Sequence, residues 1–441
     1  MSKKLLTIII GVSVLSLLVG VGTLMLKKSS PGNIGTQTEG GGLSFREFFT
    51  IGGKKEEVPV NEIPTEEGEV PVDNTDNGPK VIPKLQQISF EPTTGYGTLV
   101  REREIVTEVE TTTLPETTPT KPTPVAPKKF ESVDSVRYQD KATGHVYQTY
   151  LDIVSAEKIS NTTIPKVHRS FFVSKSEGLL DQYLTGSQNS IETYHGTLTK
   201  DTEGNYASLT GIFLPKNILD IAIAPDTTKI FYLSSLENGV VGTISSPKGE
   251  KKIQVFSSKF SEWLSQYANS KLVTVTTKPS ARSLGYMYGI DTSIKSFDKI
   301  LGGITGLTTL TSPDGKQVLY SATNTGGFSL NIYNITTKKA LTLGLTTLPE
   351  KCVWAGDSRS VYCAVPQTIS TAEYPDAWYQ GIVSFNDSFW KLDTETNIFE
   401  LVYDSATEGK NFDGINLQLS NTAKYLLFMN KVDNQLWGIT L

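Results

Sequence analysis

The chain has little to do chemistry with. Only three histidines and two cysteines occur in 441 residues. No Gly-x-Ser-x-Gly elbow, His-Glu-x-x-His pair, phosphate-cradling glycine loop or Cys-x-x-Cys motif is present. Serine-hydrolase, zinc-protease, nucleotide-dependent and thiol-redox readings therefore have no support in the sequence. His145, His168 and His195 follow no ligand spacing, so they read as turn or blade-edge residues, and no metal or cofactor is expected. A basic stripe is also missing. The net charge is −5 and mild for the length, which leaves nucleic-acid binding without an electrostatic footprint.

What is present is a repeat. Leu310 to Leu343 reads LTSPDGKQVLYSATNTGGFSLNIYNITTKKALTL, in which short runs of alternating apolar residues are cut by turn residues. Gly306 to Thr311 reads as an inner strand. Ser312-Pro313-Asp314-Gly315 then forms a tight turn: Pro presets φ, Asp caps its own backbone and Gly accepts φ > 0. Gln317 to Ala322, Phe328 to Ile335 and Ala340 to Leu343 supply the second, third and fourth strands. This residue set resembles the repeat of TolB-like, or tryptophan-aspartate-type, β-propellers, so the resemblance implies a propeller fold.

Copies recur at a period of ~40–50 residues, as propeller blades do. They start near Arg169, Leu219, Trp263, Gly306, Cys352 and Leu417, and the last supplies only three strands. A three-stranded blade leaves an unpaired edge, which closed rings avoid by borrowing a strand from the other terminus. Leu85 to Ser89 is the expected donor, followed by Gly95 to Val100 as the next inner strand. The expectation is an all-β, seven-bladed propeller over residues 84–441, with six blades as the alternative. A shorter resemblance, ThrGlyHisValTyr at Thr143 to Tyr147 with IleSerAsnThrThrIlePro at Ile159 to Pro165, is similar to membrane-anchored propellers of reduced-genome bacteria, a group with no assigned activity.

Residues 1–28 hold an apolar run, Leu5 to Leu26, flanked by Lys3-Lys4 and Lys27-Lys28. At 1.5 Å per residue it can cross a hydrocarbon core of ~30 Å. It reads as an uncleaved single-pass anchor, with a cleaved signal peptide as the other reading. Weak charge asymmetry places the bulk of the chain outside the cytoplasm. Residues 29–83, rich in Gly, Pro, Glu and Thr, read as a disordered stalk interrupted by Phe45, Phe48 and Phe49. Such a coil spans on the order of 40 Å root-mean-square. A second biased tract, about residues 107–129, reads as an exposed loop inserted between two strands of the first blade. The alternative makes it the domain linker, with the propeller starting at Phe130.

Cys352 and Cys363 fall opposite one another across the Ala355 to Ser360 turn, which points to a disulfide; two small buried residues are the other reading. Pro366 to Ser388, between the second and third strands of the sixth blade, is a long insertion. It carries Tyr374, Trp378, Tyr379 and Phe385, with Trp390 nearby. Aromatics with polar tips are enriched at interfaces, and long loops on repeat scaffolds often bind, so these rings are the candidate contact residues. They could equally fold onto their own blade. Connections between second and third strands open on the face opposite the stalk, which directs the insertion away from the anchor. The functional expectation is a non-enzymatic, membrane-anchored module that binds protein or glycan in the cell envelope. A propeller-based glycan hydrolase or lyase using Asp226, Asp314 and Asp357, or a purely structural envelope component, are the alternatives. The acidic turns, such as Asp393 to Asn397, read as turns rather than calcium loops.

Overall fold

The structure is a computed structural model that describes residues 83–105, 128–185, 190–407 and 409–441. They form seven four-stranded antiparallel sheets, each taking its strands in chain order from the inside outward, apart from the closing blade. This is a seven-bladed β-propeller, and the six-bladed alternative is excluded. Blade one pairs Thr93–Ile105 with Lys129–Asp140 along its whole length, ending at Ile105 opposite Lys129. The propeller therefore does not start at Phe130. The Thr-Pro tract between those strands lies outside the described residues, apart from Lys128 and Lys129. So do the apolar run Leu5 to Leu26 and the stalk up to Ile82. Among the described residues, no helix is long and apolar enough to cross a membrane.

Ring closure uses the expected donor, in shorter form. Leu85–Gln87 is the fourth strand of the last blade, with Leu85, Gln86 and Gln87 opposite Ile439, Gly438 and Trp437. The regular strand ends at Gln87, but Ile88 N and Ser89 N still donate to Leu436 O at 2.9 and 3.2 Å, and Ile88 turns its side chain into the core between the last and first blades.

The burial pattern follows from blades packing face to face. A second strand is covered on both sides, so Tyr425–Asn430 is buried throughout, whereas the outermost strand Lys339–Thr342 is exposed throughout. Each inter-blade layer is a hydrophobic cluster; Phe231, Leu233 and Val240 of blade three pack on Tyr267, Val273 and Val275 of blade four. Burial of each such side chain contributes about 1.5–3 kcal/mol.

The turn chemistry recurs with the geometry the repeat implies. At the first-to-second-strand turn, Thr227, Gly315, Ser358 and Ala423 have φ of 58°, 71°, 55° and 57°. Each donates its N–H to the carbonyl three residues back, for example Gly315 to Ser312 at 2.9 Å. Of these four, blade five alone fills the left-handed position with glycine, the residue that adopts it without strain. The weaker blades hold it with side-chain caps, as where Asp226 accepts from Thr228 N at 3.0 Å.

Cys352 and Cys363 are register partners and form a disulfide. The chain is antiparallel throughout each blade, so turns from first to second and third to fourth strand share one face. Turns from second to third strand, and crossings between blades, share the other. Pro83 leads into a fourth strand and so lies on the first face, while residues 367–386 join Ser360–Pro366 to Asp387–Asp393 on the second.

Candidate ligand-binding cleft

The insertion is not a free aromatic loop. Tyr374, Trp378 and Phe385 are buried against one another and against Phe328 and Leu348 of the scaffold. Tyr374 and Phe385 stack at 5.8 Å between centroids, and Trp378 and Phe385 at 6.1 Å. These three rings are therefore not available as a contact surface, which corrects that part of the sequence expectation. Hydrophobicity explains the outcome: three large rings on one short loop gain more by closing over the scaffold than by facing water. Trp390 is half-buried in a separate cleft beside Leu345 and Leu401. Tyr379 alone of the loop's four candidate rings stays open to solvent, at 37% exposure.

Polar anchors fix the insertion to three other blades. Over blade five, Thr323 Oγ1 donates to Tyr374 O at 2.8 Å. On blade four, Ala281 N donates to Asp376 Oδ2 at 2.7 Å, and Arg282 pairs with Glu373 at 2.5 Å. On blade seven, Lys431 Nζ donates to Trp378 O at 2.5 Å. Beneath lies a fully buried charge cluster: Lys351 Nζ stands 2.5 Å from Asp413 and 2.8 Å from Asp387, with all three side chains at 0% exposure. Asp413 also accepts from Trp378 Nε1 at 2.9 Å and from Phe385 N at 3.2 Å. The ammonium lies 5.2 Å and 5.3 Å from the Trp378 and Phe385 centroids, within cation–π range.

The two carboxyls share one lysine unequally. Burial pushes the Asp387 carboxyl up to about 6, against the pull of Lys351, and Asp413 adds to the rise. Burial also acts against the Asp413 charge, but Lys351, Trp378 Nε1 and Phe385 N outweigh it and hold that carboxyl below its usual range. Beside them, burial lifts Glu350 to about 7, opposed by the Tyr379 hydroxyl that donates to it.

So anchored, the helical turn Asp376–Tyr379 forms one wall of a cleft of about 810 Å³ at the end of blade four. The other walls are Phe260, Glu262 and Trp263 where the chain enters the blade, and Thr277 to Leu284 with Tyr286 and Tyr288 around its second-to-third-strand turn. All of these segments open on the face opposite Pro83. Trp263 meets Phe260 edge-to-face at 5.4 Å and Tyr288 at 5.9 Å, and Trp263 Nε1 donates to Phe260 O at 2.8 Å, which locks the rings. Glu262 and Lys278 form an exposed ion pair at 3.2 Å. The lining thus holds five aromatic rings among carboxylates, an ammonium, an amide and hydroxyls, and its volume lies in the ~300–1,000 Å³ range of small-molecule sites.

Sequence reasoning placed Trp263 to Ala268 and Tyr286 to Asp291 as strands and assigned their aromatics no role. Alternating rings within a strand carry the same pattern whether they face a core or a cleft. The available signal was that Phe260 and Trp263 cluster at a blade's start, on the same face as the long insertion.

The other candidates lie outside the cleft. Asp226, Asp314 and Asp357 cap their own turns: Asp314 accepts from Ser312 Oγ at 2.6 Å, and Asp357 from Arg359 N at 2.9 Å. None of them lines the central cavity of about 630 Å³, which is walled by inner-strand residues such as Gly95, Tyr96, Arg169, Ser170 and Gln418. The Asp393 carboxylate is occupied by Glu395 N and Thr396 N, both at 3.0 Å, and by Arg359 at 2.6 Å. His145 pairs with Thr163 at 3.2 Å, His168 is exposed and His195 is buried. Among the described residues, no group of three His, Cys, Asp or Glu side chains could hold a metal ion.

No family model and no curated protein matches the chain. Solved structures similar to it include β-propeller proteins. They include TolB from Acinetobacter baumannii, at 13% identity and TM-score 0.38, with 59% of each chain covered. An oligogalacturonate lyase in complex with manganese shares 12% identity at TM-score 0.46, covering 70% of this chain and 86% of its own. The propeller domain of the trilobed protease from Pyrococcus furiosus shares 11% at 0.45, covering 70% and 89%. The chain thus spans little more than half the length of the TolB it matches. The likeness is one of fold.

Proposed function

We propose that the chain is a recognition module whose binding site is the blade-four cleft, and that the propeller acts as a rigid platform for it in the cell envelope. One observation carries the reading. The long insertion uses its hydrophobic rings and a buried charge cluster to build a fixed wall, and the one exposed ring of that wall faces four others across the cleft. Locked rings lose little entropy on binding, which favours recognition. Asp226, Asp314 and Asp357, the carboxylates named for a hydrolase or lyase, are engaged in turn hydrogen bonds, which favours the recognition reading. An anchor at Leu5 to Leu26, a stalk and an extracytoplasmic location complete the proposal. They rest on the apolar run and its flanking lysines, and the disulfide suits an oxidising compartment.

The test is affinity capture of envelope extract on the immobilised chain, comparing wild type with Phe260→Ala. Phe260 is half-exposed and makes no core contact beyond its neighbour Trp263 and that ring's hydrogen bond. Material retained by wild type and lost with Phe260→Ala supports the cleft. Identical retention by both removes it.

A further inference from the structure

We infer that the ligand of the blade-four cleft is a neutral oligosaccharide; this deepens the recognition reading and rests on it. Three features of the lining select that chemistry. The apolar part of the wall is mainly ring, namely Phe260, Trp263, Tyr286, Tyr288 and Tyr379. A pyranose presents a flat C–H face suited to such rings and a rim of hydroxyls suited to the polar tips of Tyr286 and Tyr288.

Most of the charges on and beside the wall are paired or hydrogen-bonded. Glu262 and Lys278 are paired at 3.2 Å, Asp376 accepts from Ala281 N at 2.7 Å, and beside the cleft Arg282 and Glu373 neutralise each other at 2.5 Å. Asp376 leaves the wall with one net negative charge and no excess cation, so nothing there draws an anionic ligand. The same groups, with the Gln380 amide and the hydroxyls of Ser280 and Ser283, still offer both donors and acceptors. Sugar hydroxyls need that mixture, because each both donates and accepts.

The third feature separates a sugar from a protein partner. The rings line a concave cleft that also holds the Glu262–Lys278 ion pair, with the Arg282–Glu373 pair beside it. A stable protein interface buries at least ~1,000 Å² around a central apolar cluster. A cleft of about 810 Å³ takes a short chain of sugar rings instead.

The experiment titrates the full chain with linear tetrasaccharides of glucose, N-acetylglucosamine and galactose, a hexuronate tetrasaccharide and a proline-rich decapeptide. Binding is read by calorimetry and by the change in tryptophan emission, with Trp263, the tryptophan lining the cleft, tested as its source by Trp263→Phe. The expected result is saturable binding of at least one neutral tetrasaccharide, weakened about tenfold or more by Phe260→Ala and by Tyr379→Ala, the loss that goes with removing one stacking ring. Trp263→Phe should retain much of the affinity and Ile294→Ser, on the opposite face of the same blade, all of it. Phe260→Ala guards against the chance that Tyr379→Ala disturbs the insertion. Binding of the hexuronate alone, or sugar binding indifferent to Phe260, overturns the proposal. Phe260-dependent binding of the peptide alone overturns the sugar assignment but leaves the recognition reading standing. No Phe260-dependent binding of any probe, together with unchanged capture from envelope extract, removes both.

Discussion

Replacing Lys351 by methionine should destabilise the propeller by about 3–5 kcal/mol at neutral pH, the usual cost of breaking a buried ion pair from one side. The magnitude follows from what remains. Asp387 and Asp413 would face each other at 0% exposure with no cation between them, and Gly414 O would lose its donor at 3.0 Å. Asp387 Oδ1 already lacks a hydrogen-bond partner among the described residues, so nothing nearby can take over the charge. The loss should also depend on pH in a definite direction. Asp387 holds its proton up to about 6 even with Lys351 present, and without the lysine it holds it higher still. A carboxyl bound more tightly to its proton in the folded state costs nothing below its unfolded value of ~3.9, and the cost grows as pH rises to the folded value. Wild type already bears the Asp387 cost up to about 6, so the Lys351→Met penalty grows mainly above that pH and should be smaller near pH 4 than above pH ~7. Urea denaturation of wild type and variant at a series of pH values measures it, with Trp378 emission reporting release of the insertion. The triple variant Lys351→Met, Asp387→Asn, Asp413→Asn should recover most of the loss. A penalty below ~1 kcal/mol at pH 7.5, or one that does not change with pH, would show that the cluster is not what holds the insertion.

Asp181 makes a second pH-dependent contribution. It is fully buried, takes hydrogen bonds from Ser170 Oγ at 2.7 Å and Gln139 Nε2 at 3.1 Å, and has no cation in ion-pair range among the described residues. Burial pushes it up to about 7, with those two donors opposing. Its proton is thus retained on folding between pH ~4 and 7, so it lowers stability by up to about 4 kcal/mol as pH rises through that window. Asp181→Asn should flatten the pH dependence of unfolding by that amount, and an unchanged slope would contradict the assignment. The disulfide closes a short loop, with 11 residues of sequence separation. Cys352→Ala with Cys363→Ala, or reduction of wild type, should lower unfolding free energy by about 3 kcal/mol on the chain-entropy estimate. Urea curves with and without reductant check this, and coincident curves would mean the bridge contributes nothing.

Most of the fold was legible because propeller sequence is redundant. The SPDG turn of blade five supplied a register, and the same left-handed turn position reappears in blades that fill it with Thr227, Ser358 and Ala423. The unfinished last blade demanded an upstream strand, and edge pairing left few candidates besides Leu85. Opposed cysteines were likewise a register argument. The cleft was legible only in part. The sequence pointed to the insertion and its face, but burial of a ring depends on what lies beneath the loop. Lys351, Asp387 and Asp413 carry that information, and they are scattered over 62 residues in no motif. Tyr374, Trp378 and Phe385 read as contact residues because aromatic composition alone does not distinguish a paratope from a small hydrophobic core.

The most direct test of where recognition occurs is site-specific photo-cross-linking in living cells, with a benzophenone amino acid at Leu284 or at Ile294. Both positions are exposed on blade four, Leu284 at the cleft and Ile294 in the third-to-fourth-strand turn of the opposite face. Adducts to envelope material should form from position 284 and not from position 294. Adducts from 294, with none from 284, would contradict the assignment of the blade-four cleft as the binding site.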